Sequence, residues 1–166
     1  MTASATAPGA SPALAGLATT VQSAVVAAGF ACAARARVAG FSHVECPKAG
    51  VADIDIYARA DGTVAGVDAY APGTPMTADA MLSVLGPALD ASAGTGGWAS
   101  VAAAVRDAGY PPTQTVTVLA PGGLSVTVHG FANGGLASVA VLAPDLAAVW
   151  GHPPVPSTTP RPTANP

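Results

Sequence analysis

Apolar residues recur at helical spacing near the start of the chain, three or four positions apart, so that they share one face of a helix. These residues are Leu14, Leu17, Val21, Val25 and Ala28. Ser11 precedes them as a favourable N-cap, Pro12 suits the first helical position, and Gly29 is a stop signal. The pattern therefore predicts a helix that begins at Pro12 and ends at Ala28.

The same signals return later in the chain, where AVRDAGY resembles the earlier AVVAAGF. One helical face carries Trp98, Val101, Val105 and Ala108. Gly109 then ends this second amphipathic helix. A further helix is predicted over 78–90, kinked or split at Pro87, and a short helix begins at Pro144.

Runs typical of strands follow both amphipathic helices. They are FSHVEC (41–46), VADIDIYARA (51–60), TVAGVDAY (63–70), TQTVTVLA (113–120), LSVTVHG (124–130) and LASVAVL (136–142). We predict an α+β fold in a single domain over 11–151, with the helices packed on one side of the sheet or sheets. It consists of two similar units, α-β-β-β over about 11–73 and α-α-β-β-β-α over about 74–151.

The first hairpin has a predictable register if Asp61 and Gly62 form a two-residue turn. The apolar pairs are then Ile56–Val67, Ile54–Ala69 and Ala58–Ala65. On the other face Asp55 lies directly opposite Asp68, with Asp53 and Tyr70 as the next pair.

The same reasoning predicts the loop length of the later hairpin. A three-residue loop, Pro121-Gly122-Gly123, pairs Val118 with Val126 and Val116 with Val128, whereas a two-residue loop would mix the faces. The opposite face of this hairpin then carries Thr115, Thr117, Ser125, Thr127 and His129.

Composition and charge limit the kinds of partner that this protein can have. Charged residues make up only 9% of the 166 residues, against about 25% in an ordinary soluble domain. The net charge is −3 and the basic residues are scattered, so that nucleic acid and anionic membrane surfaces are disfavoured as partners. No apolar run is long enough to span a membrane. The Ala, Gly, Pro and Arg bias is typical of a GC-rich bacterial genome.

Both ends of the chain are of low complexity. Residues 1–10 are rich in Ala, Thr, Ser and Pro, and we expect them to be disordered; they lack the basic and apolar regions of a signal peptide. Residues 152–166 are rich in Pro and Thr and predict an extended linker or tail, which is common in surface-exposed bacterial proteins.

Two cysteines, Cys32 and Cys46, are the only ones in the chain. A zinc site would need His43 and a group such as Glu45 at no recognised spacing, and a Cys-x-x-Cys redox motif is absent. A disulfide needs only a helix end beside a strand end, and closing such a loop stabilises a fold by roughly 3 kcal/mol. We predict this disulfide and therefore an extracytoplasmic location, secreted or anchored, with the targeting segment outside this sequence. The alternative is a cytoplasmic protein with two free thiols.

Motifs of catalysis are missing from the sequence. No Gly-x-Ser-x-Gly elbow or phosphate-binding loop occurs, and Ser125 and His129 lie too far apart on one strand to bond directly. The Thr/Ser/His face of the later hairpin is therefore a candidate partner-binding surface, and we expect no cofactor and no bound metal.

The acidic face of the first hairpin, formed by Asp53, Asp55 and Asp68, allows three interpretations. Like charges opposed across strands destabilise a sheet, and water alone compensates if the face is open, which is the interpretation we favour. A calcium ion would need six to eight oxygen ligands, and an enzyme would need a buried cleft that keeps one carboxyl protonated.

These observations favour a non-enzymatic, extracytoplasmic binding domain, either an ectodomain or a secreted module, whose partner is another protein or a cell-envelope component. One alternative is a small hydrolase-type enzyme that uses the acidic face. Another is a structural or assembly protein of a virion or surface layer, for which low charge and many Thr and Gly residues are equally natural.

Overall fold

The computed structural model describes residues 14–93, 98–110, 113–120 and 123–150. The expectations for the terminal segments 1–10 and 152–166, and for Ser11 and Pro12, concern residues outside these ranges. Within them the helices are α1 (Ala18–Ala27), α2 (Ala78–Ala93), α3 (Ala99–Ala108) and α4 (Pro144–Trp150). The strands are β1 (Ala33–Val38), β2 (Phe41–Lys48), β3 (Ala52–Ala58), β4 (Val64–Tyr70), β5 (Thr115–Leu119), β6 (Ser125–Gly130) and β7 (Leu136–Leu142).

All seven strands form one antiparallel sheet in the order β1-β2-β3-β4-β7-β6-β5. The predicted α+β fold and its disulfide are confirmed, and the three longer helices, α1, α2 and α3, pack on one side of the sheet. Pairing of β4 with β7 joins the segments predicted as two units, so that their strands share a single sheet.

The main core lies between one face of this sheet and the helices α1, α2 and α3. It is built from alternate strand residues and the inward faces of these helices, among them Ile54, Ile56, Val128, Val21 and Leu85. The short helix α4 packs instead on the residues between these alternate positions, where Leu146 joins Tyr57 and Leu142 in a second, smaller cluster. Burial of apolar surface at about 25 cal/mol per Å² makes the first cluster the main source of stability.

The first helix starts later than its sequence pattern predicts. It begins at Ala18, and Leu17 instead forms an isolated β-bridge with Thr63. The preceding Gly16 is held in place because its N–H donates to the carbonyl of Ser92, 2.9 Å away. Among the described residues, Ala15 and Gly16 therefore bond to another part of the chain where the pattern predicts helix.

The sequence pattern does not predict the strand β1. Its sequence, AARARV, has no apolar alternation, and most of its side chains are exposed. It exists because β2 supplies its hydrogen-bonding partner and because the disulfide ties its beginning to β2. A strand at the edge of a sheet needs no buried face, so that hydrophobic pattern cannot reveal it.

The hairpin of β3 and β4 has the predicted pairing over most of its length, but its turn differs. Arg59 N–H donates to Thr63 O at 2.9 Å, which closes a three-residue loop instead of the predicted two-residue turn. A bulge beside Tyr57 then makes Ala58 pair with Val64, so that the predicted Ala58–Ala65 pair is wrong. The extra loop residue and the bulge compensate, which restores the predicted register from Ile56 onwards.

The hairpin of β5 and β6 has the predicted register. Val116 pairs with Val128, and Val118 pairs with Val126. Gly123 has a φ of 79°, the left-handed conformation that this loop requires from a glycine. The helix over 78–93 is continuous, with Pro87 inside it, so that it is not split as the sequence allowed.

Candidate functional site

The two groups of candidate residues lie on the same face of the sheet, which we call the polar face and which is opposite α1, α2 and α3. Paired residues in an antiparallel sheet point to the same side, so the register defines rows across this face. One row is Glu45, Asp55, Asp68, Ala140, Thr127 and Thr117. The next row is Asp53, Tyr70, Ser138, His129 and Thr115.

The small residues of β7 connect these two groups. Ser138 lies between Tyr70 and His129, and Ala140 lies between Asp68 and Thr127. The sequence pattern did not predict this connection, because the alternation of apolar and polar residues along one strand does not indicate which distant strand will pair with it.

Burial of Asp55 and Asp68 corrects the expectation of a solvated acidic face. The two residues are directly paired, and their exposed fractions are only 7% and 2%. Asp68 Oδ1 makes no hydrogen bond to any part of the chain that the structure describes. The carboxyl pair is therefore held away from bulk water, where an uncompensated charge is costly.

One member of this pair has a basic partner. His43 Nε2 lies 2.8 Å from Asp55 Oδ1, in reach of a hydrogen bond. The His43 ring also stacks on Tyr57, with ring centroids 4.8 Å apart, and Tyr57 makes an edge contact with Trp150 of α4 at 4.7 Å. His43 and Tyr57 face each other in the β2–β3 register, which extending the hairpin analysis to β2 would have found.

The pKa values on this part of the face shift in a consistent direction. Burial, and then the charge of Asp55, raises the pKa of Asp68 well above its usual range. Burial also raises the pKa of Asp55, although the hydrogen bond and charge of His43 oppose this shift. Burial and the charge of Glu45 raise the pKa of Asp53. Asp68 therefore keeps its proton to a higher pH than an ordinary aspartic acid.

The other half of the polar face is a row of hydroxyl and imidazole groups. Thr117 and Thr127 are joined by a hydrogen bond of 2.9 Å between their hydroxyls, and Thr115 Oγ1 lies 3.1 Å from His129 Nδ1. Ser125 pairs with Leu119 one step further along. The register thus confirms that these five predicted residues share a face.

Exposure divides these five residues between the edge and the interior of the sheet. Thr115 and Thr117, on the edge strand β5, are exposed. Ser125, Thr127 and His129 are buried, so that only the β5 side of the candidate partner-binding surface is open to solvent. Burial lowers the pKa of His129, and its Nε2 has no hydrogen-bond partner among the described residues. A partner can therefore reach this half of the face most directly from β5.

The cysteines form the predicted disulfide. Cys32 and Cys46 are bonded, with their Cα atoms 4.0 Å apart, and Cys46 is fully buried. Neither sulfur is thus available as a metal ligand. In the part of the chain that the structure describes, no cluster of three or more His, Cys, Asp or Glu side chains has a geometry suited to a metal ion. No helix within the described ranges combines the length and apolarity needed to cross a membrane.

The chain was compared with known proteins in three ways. No match was found among protein-family models, among curated proteins or among solved structures. Evidence about function therefore comes from the polar face itself.

Proposed function

We propose that this chain is a non-enzymatic binding domain that works outside the cytoplasm and holds a basic segment of another protein on its polar face. The observation that carries this proposal is the buried pair Asp55 and Asp68, in which Asp68 Oδ1 lacks a hydrogen-bond partner among the described residues. A buried polar atom without a partner is costly, and a donor supplied by a ligand would remove that cost.

The charge of this part of the face favours a cationic ligand. Four carboxyl groups belong to its two rows, those of Glu45, Asp53, Asp55 and Asp68. Their basic neighbours are Arg35, which pairs with Glu45, and His43, which pairs with Asp55. Burial raises the pKa values of Asp53 and Asp55, and repulsion by the neighbouring carboxylates adds to both shifts. The ammonium or guanidinium group of a partner would relieve this repulsion.

Access to the carboxyl groups is easiest from the margin of the face. Glu45 and Asp53 are only partly buried, whereas Asp55 and Asp68 lie deeper. A basic side chain would first meet the outer pair and then reach Asp55. The disulfide supports an oxidising compartment for such an encounter, since disulfides persist mainly outside the cytoplasm.

The test is a calorimetric titration with a short, blocked peptide that carries two arginines, and with a matched peptide in which citrulline replaces both. We expect saturable binding of the arginine peptide only, weakened by salt and accompanied by proton release, because a nearby cation lowers the pKa of Asp55 and Asp68. Asp55→Asn should weaken binding, while Asp107→Asn on the exposed side of α3 should not. Equal binding of the two peptides, or none, would refute the proposal.

A hydrolase-type enzyme is the second candidate, and one observation favours it. Two opposed carboxyl groups, one of which retains its proton, can serve as an acid and a base. The discriminating assay measures turnover of chromogenic esters and glycosides by the wild type, Asp55→Asn and Asp68→Asn. Turnover that both substitutions abolish would favour the enzyme, whereas the binding proposal expects no turnover by any of the three.

A further inference from the structure

The two edges of the sheet are built differently. The edge strand β5 reads TVTVL, and no Asp, Glu, Lys or Arg occurs anywhere from 108 to 128. Its side chains alternate between exposed and half-buried, and Leu119 at its end is 76% exposed. An uncharged, regular edge strand of this kind is a ready template for pairing with another strand.

The opposite edge, β1, carries the features that prevent such pairing. Arg35 and Arg37 lie on it, and its pairing with β2 is irregular between Arg35 and Val38. Charged side chains and irregularities are the usual protection of exposed sheet edges. The chain thus protects β1 and leaves β5 without a charge or a bulge.

The outer side of β5 is unpaired within the described part of the chain. The main-chain partners of Thr115–Leu119 all lie on β6. The hydroxyls of Thr115 and Thr117 also turn inward, to His129 and Thr127. On the helix side of the sheet, Val116 and Val118 stay only half-buried. A further strand added to this edge would satisfy its free peptide groups and complete the burial of both valines.

We propose that β5 pairs with β5 of a second copy of this chain and forms a symmetric antiparallel dimer with a continuous sheet. The sequence of β5 is complementary to itself. Antiparallel registers centred on Val116, Thr117 or Val118 keep the two faces apart, and each places Val116 or Val118 opposite a valine of the second copy. No charges are opposed in any of these registers. The same operation at β1 would bring Arg35 against Arg37 of the second copy.

The symmetry of such a dimer has a consequence for the polar face. An antiparallel strand pair has its twofold axis perpendicular to the sheet, so that equivalent faces of the two copies lie side by side. The exposed row of Thr115, Thr117 and Leu119 then meets its counterpart at the centre of a doubled polar face. The dimer would offer two copies of any ligand site on one side of one sheet, which increases avidity for a partner with repeated motifs.

The size of the contact sets the expected affinity. One five-residue strand pair with its neighbouring side chains is small beside the roughly 1,600 Å² of a standard protein interface. We therefore expect a reversible dimer that forms in the micromolar range. The full chain should change from monomer to dimer as its concentration rises.

Sedimentation velocity across the micromolar range tests the proposal, with Thr117→Lys as the disrupting variant. Thr117 is exposed, and lysines near the axis would repel each other, so that the dissociation constant should rise about tenfold or more. Ala36→Lys on the exposed edge strand β1 is the matched control and should leave dimerisation unchanged. A thermal melt confirms that both variants remain folded.

Hydrogen exchange at low and high protein concentration provides a second measurement. Amides of 115–119 should exchange more slowly in the dimer, while those of β1 should not change. A chain that is monomeric at every concentration, or a dimer that Thr117→Lys leaves intact, would overturn the proposal. Binding of a synthetic strand peptide by a chain that stays monomeric would also overturn it, because the partner would then be another protein.

Discussion

Asp55 and Asp68 face each other across β3 and β4, and both are buried in the interior of the polar face. His43 supplies a partner for Asp55, whereas Asp68 Oδ1 has none within the described residues. The native sheet therefore tolerates this pair most easily when Asp68 holds a proton. The stability of the protein must therefore change with pH as Asp68 gains or loses its proton.

The pH dependence can be tested with Asp68→Asn. Folding raises the pKa of Asp68. Between its pKa in the unfolded chain and its higher pKa in the native state, the native protein holds a proton that the unfolded chain has lost. The free energy of unfolding therefore falls as the pH rises above about 4. Asp68→Asn removes this loss, and at pH 8 it should raise the melting temperature by about 3 °C or more. Thermal melts between about pH 5 and pH 8 provide the measurement.

The control for that experiment is Asp107→Asn, which makes the same chemical change at an exposed position on α3. Asp145 shifts in the opposite direction, since Arg59 lowers its pKa, and its contribution to stability is lost only as the pH falls below about 4. A wild-type protein whose stability does not change between neutral and mildly acidic pH would contradict the buried-pair interpretation.

Gly66 provides a steric test of the contact between the sheet and α4. A Cβ atom at Gly66 would lie 2.7 Å from Cδ2 of Leu142 and 2.7 Å from Cδ2 of Leu146. Gly66→Ala should therefore destabilise the fold by about 1–3 kcal/mol through overpacking. Denaturant unfolding measures the change.

A second glycine in the chain offers a matched control for this substitution. Gly86 lies inside α2, where an added Cβ would come no closer than 4.0 Å to Trp98. Gly86→Ala should be neutral or stabilising by up to about 1 kcal/mol, because alanine favours the helix. If the two substitutions had equal effects, α4 could not be packed against Gly66.

The disulfide predicts both a thiol count and a loss of stability. Titration of the denatured, non-reduced protein should find no free thiol, since Cys32 and Cys46 are bonded. Replacing both by serine should lower the free energy of unfolding by roughly 3 kcal/mol, because the unfolded chain gains entropy. Two titratable thiols in the purified protein would contradict the bond and remove the main support for an extracytoplasmic location.

The ion pair between Arg59 and Asp145 ties the β3–β4 turn to the start of α4. Both guanidinium contacts are short, at 2.5 Å from Nε and 2.8 Å from Nη2. A double-mutant cycle with Arg59→Ala and Asp145→Ala should give a coupling energy of about 1 kcal/mol, the upper end for a partly exposed pair. The exposed pair Arg106–Asp79 is the control and should give less. Equal coupling in both cycles would show that the bidentate geometry adds nothing.

Local pattern predicted those parts of the fold whose causes are local. The alternation of Ile54 and Ile56 determined which face of β3 packs against the helices, and this was enough to place Asp55 opposite Asp68. The valines of β5 and β6 likewise determined the register of their hairpin. A one-residue slip would exchange the two faces of a strand, so that the hydrophobic effect alone specifies these pairings.

Candidate residues were found from the sequence as two separate groups, and only the tertiary structure joined them. The pairing of β4 with β7 placed Asp68 and Thr127 in one row, with Ala140 between them. The same long-range packing decided the late start of α1, the existence of β1 and the burial of Asp68. Each of these depends on contacts between segments far apart in the chain, and the periodicity of a single segment carries no information about which distant surface will cover it.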